Sequence, residues 1–327
     1  EQFYTCLATS TDGGVTFFKP SLGVIEINGS TANNCVWPPG GWNAIDHQTG
    51  SVFIDTNPAV PATERYKMIA TYGGSAKTMT SPDGVHFTAV NTESYSGSDT
   101  QQVAWYDERL GKYVAYRRAW WHHNPRVNPA FCVTQDGVPT CGRQDAAGRQ
   151  ISRCVTDATV WPYFPDCPTT TTGTTPGPLT ASSDLVFSFD EQDPPGLDLY
   201  VNSAMPYFGE YLIFPSMYLH FPDKGVGWPR DNDGIWSARI AHSRDGLNFS
   251  YIGGDRRPWV SQGRTPVEGF SPGPGPANGS AWDSAMIQVV RGMVVREDTV
   301  TMFKWGDSLL HHQCSVAGDA DDAASST

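Results

Sequence analysis

The sequence contains no uninterrupted apolar run near the roughly 18 residues that a helix needs to cross a bilayer, so no helical membrane span is expected. Charge is scarce, at 17% of residues. What there is leans acidic, with 34 Asp and Glu against 22 Lys and Arg and a net charge of −12. That shortage of positive charge argues against nucleic acid as a partner. Long Leu/Ala/Glu/Lys windows of the kind that build helices are missing. So are a Gly-rich phosphate loop, a Cys-x-x-Cys pair and a Gly-x-Ser-x-Gly elbow. The pairs His122-His123 and His311-His312 are adjacent, and neighbours on an extended strand point to opposite faces, so neither pair chelates by itself. No metal and no cofactor is expected. The chain starts at Glu1 without Met or a charged-then-apolar leader, as expected of a processed chain or a segment of a longer one.

What is abundant is turn-forming and aromatic: 33 Gly and 25 Pro, with 11 Trp, 13 Tyr and 15 Phe. One stretch recurs. Ser10-Thr11-Asp12-Gly13 runs into Phe17, Ser81-Pro82-Asp83-Gly84 into Phe87, and Ser243-Arg244-Asp245-Gly246 into Phe249. Each copy follows a β-rich run. Asp-Gly between two such runs is a strong hairpin signal, because Gly accepts the positive φ of a tight turn. Asp83 follows Asp12 by 71 residues and Asp245 follows Asp83 by 162, close to two further periods. A small antiparallel unit repeated at that interval predicts an all-β fold, a β-propeller of four-stranded antiparallel blades.

In order along the chain, a complete unit is expected over about 43–90 and a second from Ser98. The second is interrupted by a Cys- and Thr/Pro-rich insertion at about 119–180. Within it, Arg153 to Asp157 stands where the Asp-Gly hairpin would be, and 168–180 reads as a flexible loop suited to O-glycosylation. A third unit starts at Leu197, and the last strands are Trp282–Gln288 and Thr299–Trp305. The propeller domain is placed at 1–316 and a disordered tail at 317–327. The chain opens with an outer hairpin that lacks inner strands and closes with inner strands that lack an outer hairpin. About four blades' worth of sequence is present. Either the two halves meet or further strands belong to the ring.

Seven cysteines and three Asn-x-Ser sequons, at Asn28, Asn248 and Asn278, point to an oxidising, secretory compartment and an extracellular glycoprotein. Cys132 with Cys141 and Cys154 with Cys167 would close short loops inside the insertion. Cys6 with Cys35 would tie two surface segments. Connectivity is not deducible from sequence. Cys314 is left over, free to pair with a partner chain or a segment outside this one.

The innermost strands of a propeller surround a central depression, so acids on them meet although far apart in sequence. Asp55, Asp99, Asp198 and Asp283 each lie on or beside the first strand of a unit. Converging carboxylates suit glycoside hydrolysis, one as base or nucleophile and one as acid. The alternative for each is an Asp that caps a turn. Trp105, Trp282, Trp305, Tyr200 and Tyr207 are candidates for stacking on sugar rings, the alternative being packing between blades.

The order and spacing of Asp55-Thr56-Asn57-Pro58 with Arg65-Tyr66-Lys67, Ser81-Pro82-Asp83-Gly84-Val85-His86-Phe87, Asp99-Thr100-Gln101-Gln102-Val103-Ala104-Trp105-Tyr106-Asp107, Val201-Asn202-Ser203-Ala204-Met205-Pro206-Tyr207 and Trp282-Asp283-Ser284-Ala285-Met286 resemble the five-bladed β-propeller glycoside hydrolases of families 32, 43 and 68, in particular the family 32 N-terminal-like proteins. The resemblance implies acid-assisted, metal-independent attack on a glycosidic bond in a central funnel. Asp55, Asp99 and Asp283 would be the catalytic carboxylates, and Asp198, Asn202, Trp105 and Trp282 would hold the carbohydrate. The Trp-Met-Asn-Asp-Pro, Arg-Asp-Pro and Glu-Cys motifs of invertases are absent. A non-catalytic, glycosylated extracellular propeller that binds glycans or serves a surface assembly is therefore the alternative.

Overall fold

The computed structural model describes residues 2–43, 47–72, 75–96, 101–120, 132–135, 138–141, 149–157, 161, 164, 185–190, 192–193, 197–200, 202–220, 234–263 and 282–308. Across them the protein is an all-β propeller built from antiparallel blades. The chain opens with β1 (Gln2–Cys6) paired to β2 (Cys35–Asn43), whose register sets Cys6 opposite Cys35. These two cysteines form a disulfide.

The first complete blade is β3 (His47–Ile54), β4 (Tyr66–Tyr72), β5 (Ser75–Ser81) and β6 (Thr88–Ser96), in that order across the sheet. The second begins with β7 (Val103–Asp107) and β8 (Lys112–Trp120). A separate hairpin, β9 (Cys132–Gln135) and β10 (Val138–Cys141), follows and places Cys132 opposite Cys141. The blade then resumes with β11 (Arg149–Asp157) and closes with β12 (Leu185–Phe187). The segment 119–180 is thus not all insertion. β11 pairs without a break along β8, from Arg149 opposite Trp120 to Asp157 opposite Lys112, as the third strand of its blade. Cys154 on β11 is disulfide-bonded. Cys167, Cys314, Asn278, the 168–180 loop and the 317–327 tail lie outside the described residues.

The third blade is bent. β13 (Leu197–Leu199) and β14 (Ala204–Tyr207) form its first strand in two pieces. β15 (Glu210–Ile213) and β16 (Ser216–His220) form the second, and β17 (Gly234–Ala238) and β18 (Ala241–Ser243) the third. The short β19 (Ser250–Tyr251) is the fourth. Tyr211 faces Ser243 and Ser216 faces Ala238, five residues on in both strands, so the second and third strands keep one register through the bend. The first strand shifts by one residue relative to the second, and Asn202 and Ser203 stand at that shift. The last pair is β20 (Met286–Arg296) with β21 (Thr299–Asp307). Contacts run from β3 to β7, from β11 to β13 and from β17 to β20. Arg291 on β20 returns to β3, donating to the Val52 carbonyl at 3.0 Å.

Neighbouring blades cover both faces of a strand, so period-2 alternation gives way to continuous burial. Met68, Ile69 and Ala70 are buried in succession on β4, and so are all six residues from Tyr113 to Arg118 on β8. Arg117 and Arg118, a dipeptide that reads as solvated or salt-bridged, are therefore interior. Arg256 and Arg257 form ion pairs with Asp190 and Asp255.

The three Asp-Gly hairpins share one hydrogen-bond pattern. The Ser hydroxyl donates to the Asp carboxylate at 2.8 Å in the first copy, 3.0 Å in the second and 2.8 Å in the third. It also accepts a glycine N–H, from Gly14, Gly84 or Gly246. The first copy carries one extra residue, so Gly14 takes the place of Gly84 and Gly246. Each of these glycines has positive φ and lies against an aromatic side chain. A Cβ would meet the Tyr66 ring at Gly84, the Tyr211 ring and Tyr116 hydroxyl at Gly246, and the Phe303 ring at Gly14. Tyr66, Tyr211 and Phe303 all sit on the second strands of their blades. The opening hairpin, with Phe17 also edge-on to Phe303 at 5.8 Å, therefore packs on the blade of β20 and β21. The half-blades at the two ends of the sequence meet.

These turns can be probed in two ways. Gly246→Ala adds a Cβ 2.6 Å from the Tyr116 hydroxyl at φ +71, whereas Gly209→Ala at φ +79 meets nothing within 4 Å. Denaturant unfolding is expected to give a loss of about 2–5 kcal/mol for the first and about 1–2 kcal/mol for the second. Hydrogen bonds hold the Asp12, Asp83 and Asp245 carboxyls well below the usual range, chiefly from the Thr16 hydroxyl, the His86 N–H and the Asn248 N–H respectively. A carboxyl lowered on folding stabilises the native state above its unfolded pKa near 4 and loses that contribution as pH falls through the folded value. Stability should drop from about pH 5 downwards, and Asp83→Asn should flatten that slope in thermal melts.

Candidate functional site

Among the described residues the first strands of the blades are β3, β7, β13–β14 and β20. Their C-terminal halves line one depression. Their N-terminal halves meet at the other end, where a polar layer is built on an aromatic floor. Tyr200, Tyr218 and Trp236 pack there with Ala285 and Met286. Asp198 on β13 is fully buried and receives the Arg149 guanidinium at 2.7 Å. Arg118 and Arg149 both lie over the Tyr200 ring, at 5.0 and 5.2 Å. Burial and the neighbouring Arg149 charge lower Arg118 to about 10, against the opposing pull of Tyr200 and Asp198. Gln101, two residues ahead of β7, is hydrogen-bonded to Gln288 of β20. The side chains of Asn202 and Gln150 are buried, and none of their polar atoms has a hydrogen-bond partner among the described residues.

Asp283 is buried just ahead of β20, at 6% exposure. Its carboxylate accepts from Lys304 of β21, and the Lys304 ammonium sits 5.2 Å from the Trp282 ring centre. Trp282 is 60% exposed and Trp305 is 42% exposed. Trp305 leans on Trp236 with ring centres 6.0 Å apart. Gly306 permits this arrangement, since a Cβ there would come within 2.7 Å of both the Trp282 ring and the Asp283 Cβ. The result is one open indole, Trp282, beside a Lys–Asp pair, an apolar face next to hydrogen-bonding groups. Trp305, the strand neighbour of Lys304, points to the opposite face of β21.

Of the carboxylates singled out from sequence, the structure does not bring Asp55 to this end. Asp55 accepts from the Tyr113 hydroxyl at 2.7 Å and from the Asn57 N–H at 3.0 Å, with Lys67 at 3.6 Å. It is the capped-turn alternative. Burial and the bonded Asp55 carboxylate push the Tyr113 phenol well above its ordinary range. Tyr113 is near the start of β8, whereas Arg149, the partner of Asp198, faces Trp120 at its end. Seven residues of strand separate the two positions by roughly 23 Å, beyond any carboxylate pair that acts on one glycosidic bond. Asp198 and Asp283 share an end without touching. Asp198 faces Tyr218, Tyr218 faces Trp236, and the Trp236 N–H donates to the Ala285 carbonyl at 2.9 Å. Three strand spacings amount to about 14 Å. Asp99 lies outside the described residues.

Among the aromatic candidates, Trp105 is core, stacked on Tyr116 at 5.4 Å with an 8° interplanar angle. Tyr200 belongs to the floor, Tyr207 lines the opposite depression, and Trp282 and Trp305 are open. Sequence reasoning missed Lys304, whose one signal is a lone cation between Phe303 and Trp305. It also missed Arg149, which nothing local distinguishes. Asn28 and Asn248 are exposed, with the Asn248 amide bonded to Asp245 at 2.8 Å. His122, His123, His311 and His312 are outside the described residues. Among the described residues no group of three His, Cys, Asp or Glu side chains is placed to hold a metal ion, and no helix is long and apolar enough to cross a membrane.

Cutting the Arg149–Asp198 pair should be costly, because the remaining carboxylate stays in the dry interior. Arg149→Met is expected to destabilise by about 3–5 kcal/mol. The Arg149→Met, Asp198→Asn double variant should lose less than the two singles together, as a double-mutant cycle of urea unfolding would record.

No protein-family model matches the sequence, and no curated protein is significantly similar to it. Solved structures similar to this chain include one described as a complex of BT0996 and RGII, with 10% identity and a TM-score of 0.44, covering 86% of this chain and 75% of that one. Another, described as "Glycoside hydrolase", has 10% identity and a TM-score of 0.45, covering 87% and 76%. A third comes from work on GH130, a family of mannoside phosphorylases containing glycoside hydrolases that target β-1,2 mannosidic linkages in Candida mannan. It has 12% identity and a TM-score of 0.38, covering 80% of this chain and 60% of that one. At these scores the likeness carries no argument, and the architecture rests on the strand pairing.

Proposed function

We propose that this protein is a secreted, glycan-binding propeller that holds its carbohydrate on the open Trp282 indole beside Asp283 and Lys304. The observation that carries the reading is the open Trp282 indole beside the Lys304–Asp283 ion pair. Indole faces cover the C–H faces of a pyranose, while a carboxylate and an ammonium serve its hydroxyls. The Cys6–Cys35 disulfide supports the oxidising compartment in which such proteins work.

Hydrolysis of the bound glycan is the second reading, with Asp283 and Asp99 as the two carboxylates and Asp198 as the buried residue that shapes the floor. The Gln101–Gln288 hydrogen bond favours it, because it ties the stretch that Asp99 leads into to the strand that Asp283 precedes. Against it stands the Lys304 ammonium on Asp283, which suits a binding carboxylate better than an acid catalyst. A glycan array and a hydrolysis screen on plant and algal polysaccharides test both. Trp282→Ala should weaken binding roughly 3- to 10-fold. Any sugar release should fall by about 100-fold or more in Asp99→Asn or Asp283→Asn. Binding untouched by Trp282→Ala would remove the first reading, and turnover unchanged in both Asp variants would remove the second.

A further inference from the structure

The opposite end of the axis holds a depression of about 710 Å³, within the range of small-molecule sites. Phe53, Trp105, Tyr207, Phe208 and Tyr211 line it. Its mouth carries open apolar side chains, Phe208 on the β14–β15 turn at 84% exposed, Ile54 at 52% and Val295 at 45%, with Glu108, Arg109 and Glu210 beside them. Arg291 enters from β20, where the register with β21 breaks between Val289 and Met293 and the strand re-aims its side chains. Its guanidinium lies 5.6 Å from the Phe53 ring centre and 5.8 Å from that of Trp105.

No carboxylate balances this cation among the described residues. Its one hydrogen bond there goes to the Val52 carbonyl, and its Nε is buried without an acceptor. Burial alone lowers its basicity, to about 10, with no nearby anion opposing the shift. The acids that share the depression are committed or outward. Asp107 accepts from the Tyr211 hydroxyl and caps its own turn through the Arg109 N–H. Glu210 is paired with His242 and Arg244. Glu108 is exposed on the β7–β8 turn. The Trp105 indole N–H is likewise buried without an acceptor among the described residues.

A cation under aromatic walls, with open apolar side chains at the rim, is complementary to one kind of molecule. We propose that this depression binds a small amphipathic carboxylate, with its carboxylate on Arg291 and its aromatic or branched apolar body between Trp105, Tyr207 and Phe208. A charge-assisted bond from guanidinium to carboxylate is among the stronger single contacts available to a ligand of this size.

Calorimetric titration of the full chain with 4-phenylbutyrate and its neutral analogue 4-phenyl-1-butanol tests this. The acid should bind once per chain and about tenfold more tightly than the alcohol. Arg291→Gln should erase that preference. Phe208→Ser, at an exposed position, should weaken both ligands about threefold and leave the preference intact. Asp283→Asn should change neither, which separates this site from the glycan surface. Absence of binding, equal binding of acid and alcohol, or a preference that survives Arg291→Gln would overturn the proposal. Should Arg291→Gln fail to fold, as circular dichroism would reveal, the wild-type acid-to-alcohol ratio and Phe208→Ser decide it.

Discussion

The Tyr116 hydroxyl donates to the Gly246 carbonyl at 2.7 Å, and much of the propeller depends on contacts of this kind. Tyr116 belongs to the second strand of the second blade, and Gly246 to the Asp-Gly hairpin of the third. The same ring stacks on Trp105 and meets Phe249 edge-on at 6.0 Å. One fully buried side chain thus fixes a hairpin, its phenylalanine and the neighbouring blade at once. Burial pushes its phenol well above the ordinary range, so the hydroxyl keeps its proton and remains a donor. Glycine at 246 is required by the same contact, because the ring and hydroxyl occupy the space a side chain would take.

Packing of this density constrains every charge inside it. Blades cover one another on both faces, so an arginine on an inner strand cannot reach water and must find its partner within the ring. Arg149 finds Asp198, and Arg239 finds Asp193 at 2.6 Å and Tyr251 at 3.0 Å. Aromatic faces complete the solvation, as Tyr200 does for Arg118 and Arg149. Arg291 departs from this pattern, with rings and one carbonyl but no carboxylate among the described residues. The two ends of the axis therefore differ in chemistry. One presents a neutralised polar layer with the open Trp282 indole near it, and the other an aromatic well with a cation at its wall.

The hairpins were legible because their signal is local. Ser, Asp and Gly at fixed offsets satisfy one another's hydrogen bonds within a few residues, and that pattern survives in any tertiary setting. Strands such as Tyr66–Tyr72 and Val103–Asp107 were legible from their composition, whereas the choice of Cys35 as the partner of Cys6 was not, because it rests on two strands meeting in register. The position of Asp55 was not legible. Sequence places it beside a first strand, as it places Asp198 and Asp283, but it terminates that strand while the others stand at or before the start of theirs. A blade strand is long enough to carry its two ends to opposite faces of the ring.

The sequence by itself determined the β class, the repeated turn and the approximate places of the blades, because each rests on backbone preferences and hydrogen bonds within a few residues. Only the tertiary structure decided which end of the axis each acid occupies. It alone made Arg117 and Arg118 interior, opened Trp282 while burying Trp105, and left Arg291 facing an aromatic depression. Those outcomes depend on strand direction, on the one-residue shift at Asn202 and Ser203, and on which blade lies against which. Such relations are set by packing between strands and blades well separated along the chain, as Arg149 and Asp198 or Tyr116 and Gly246 are, and no local pattern encodes them.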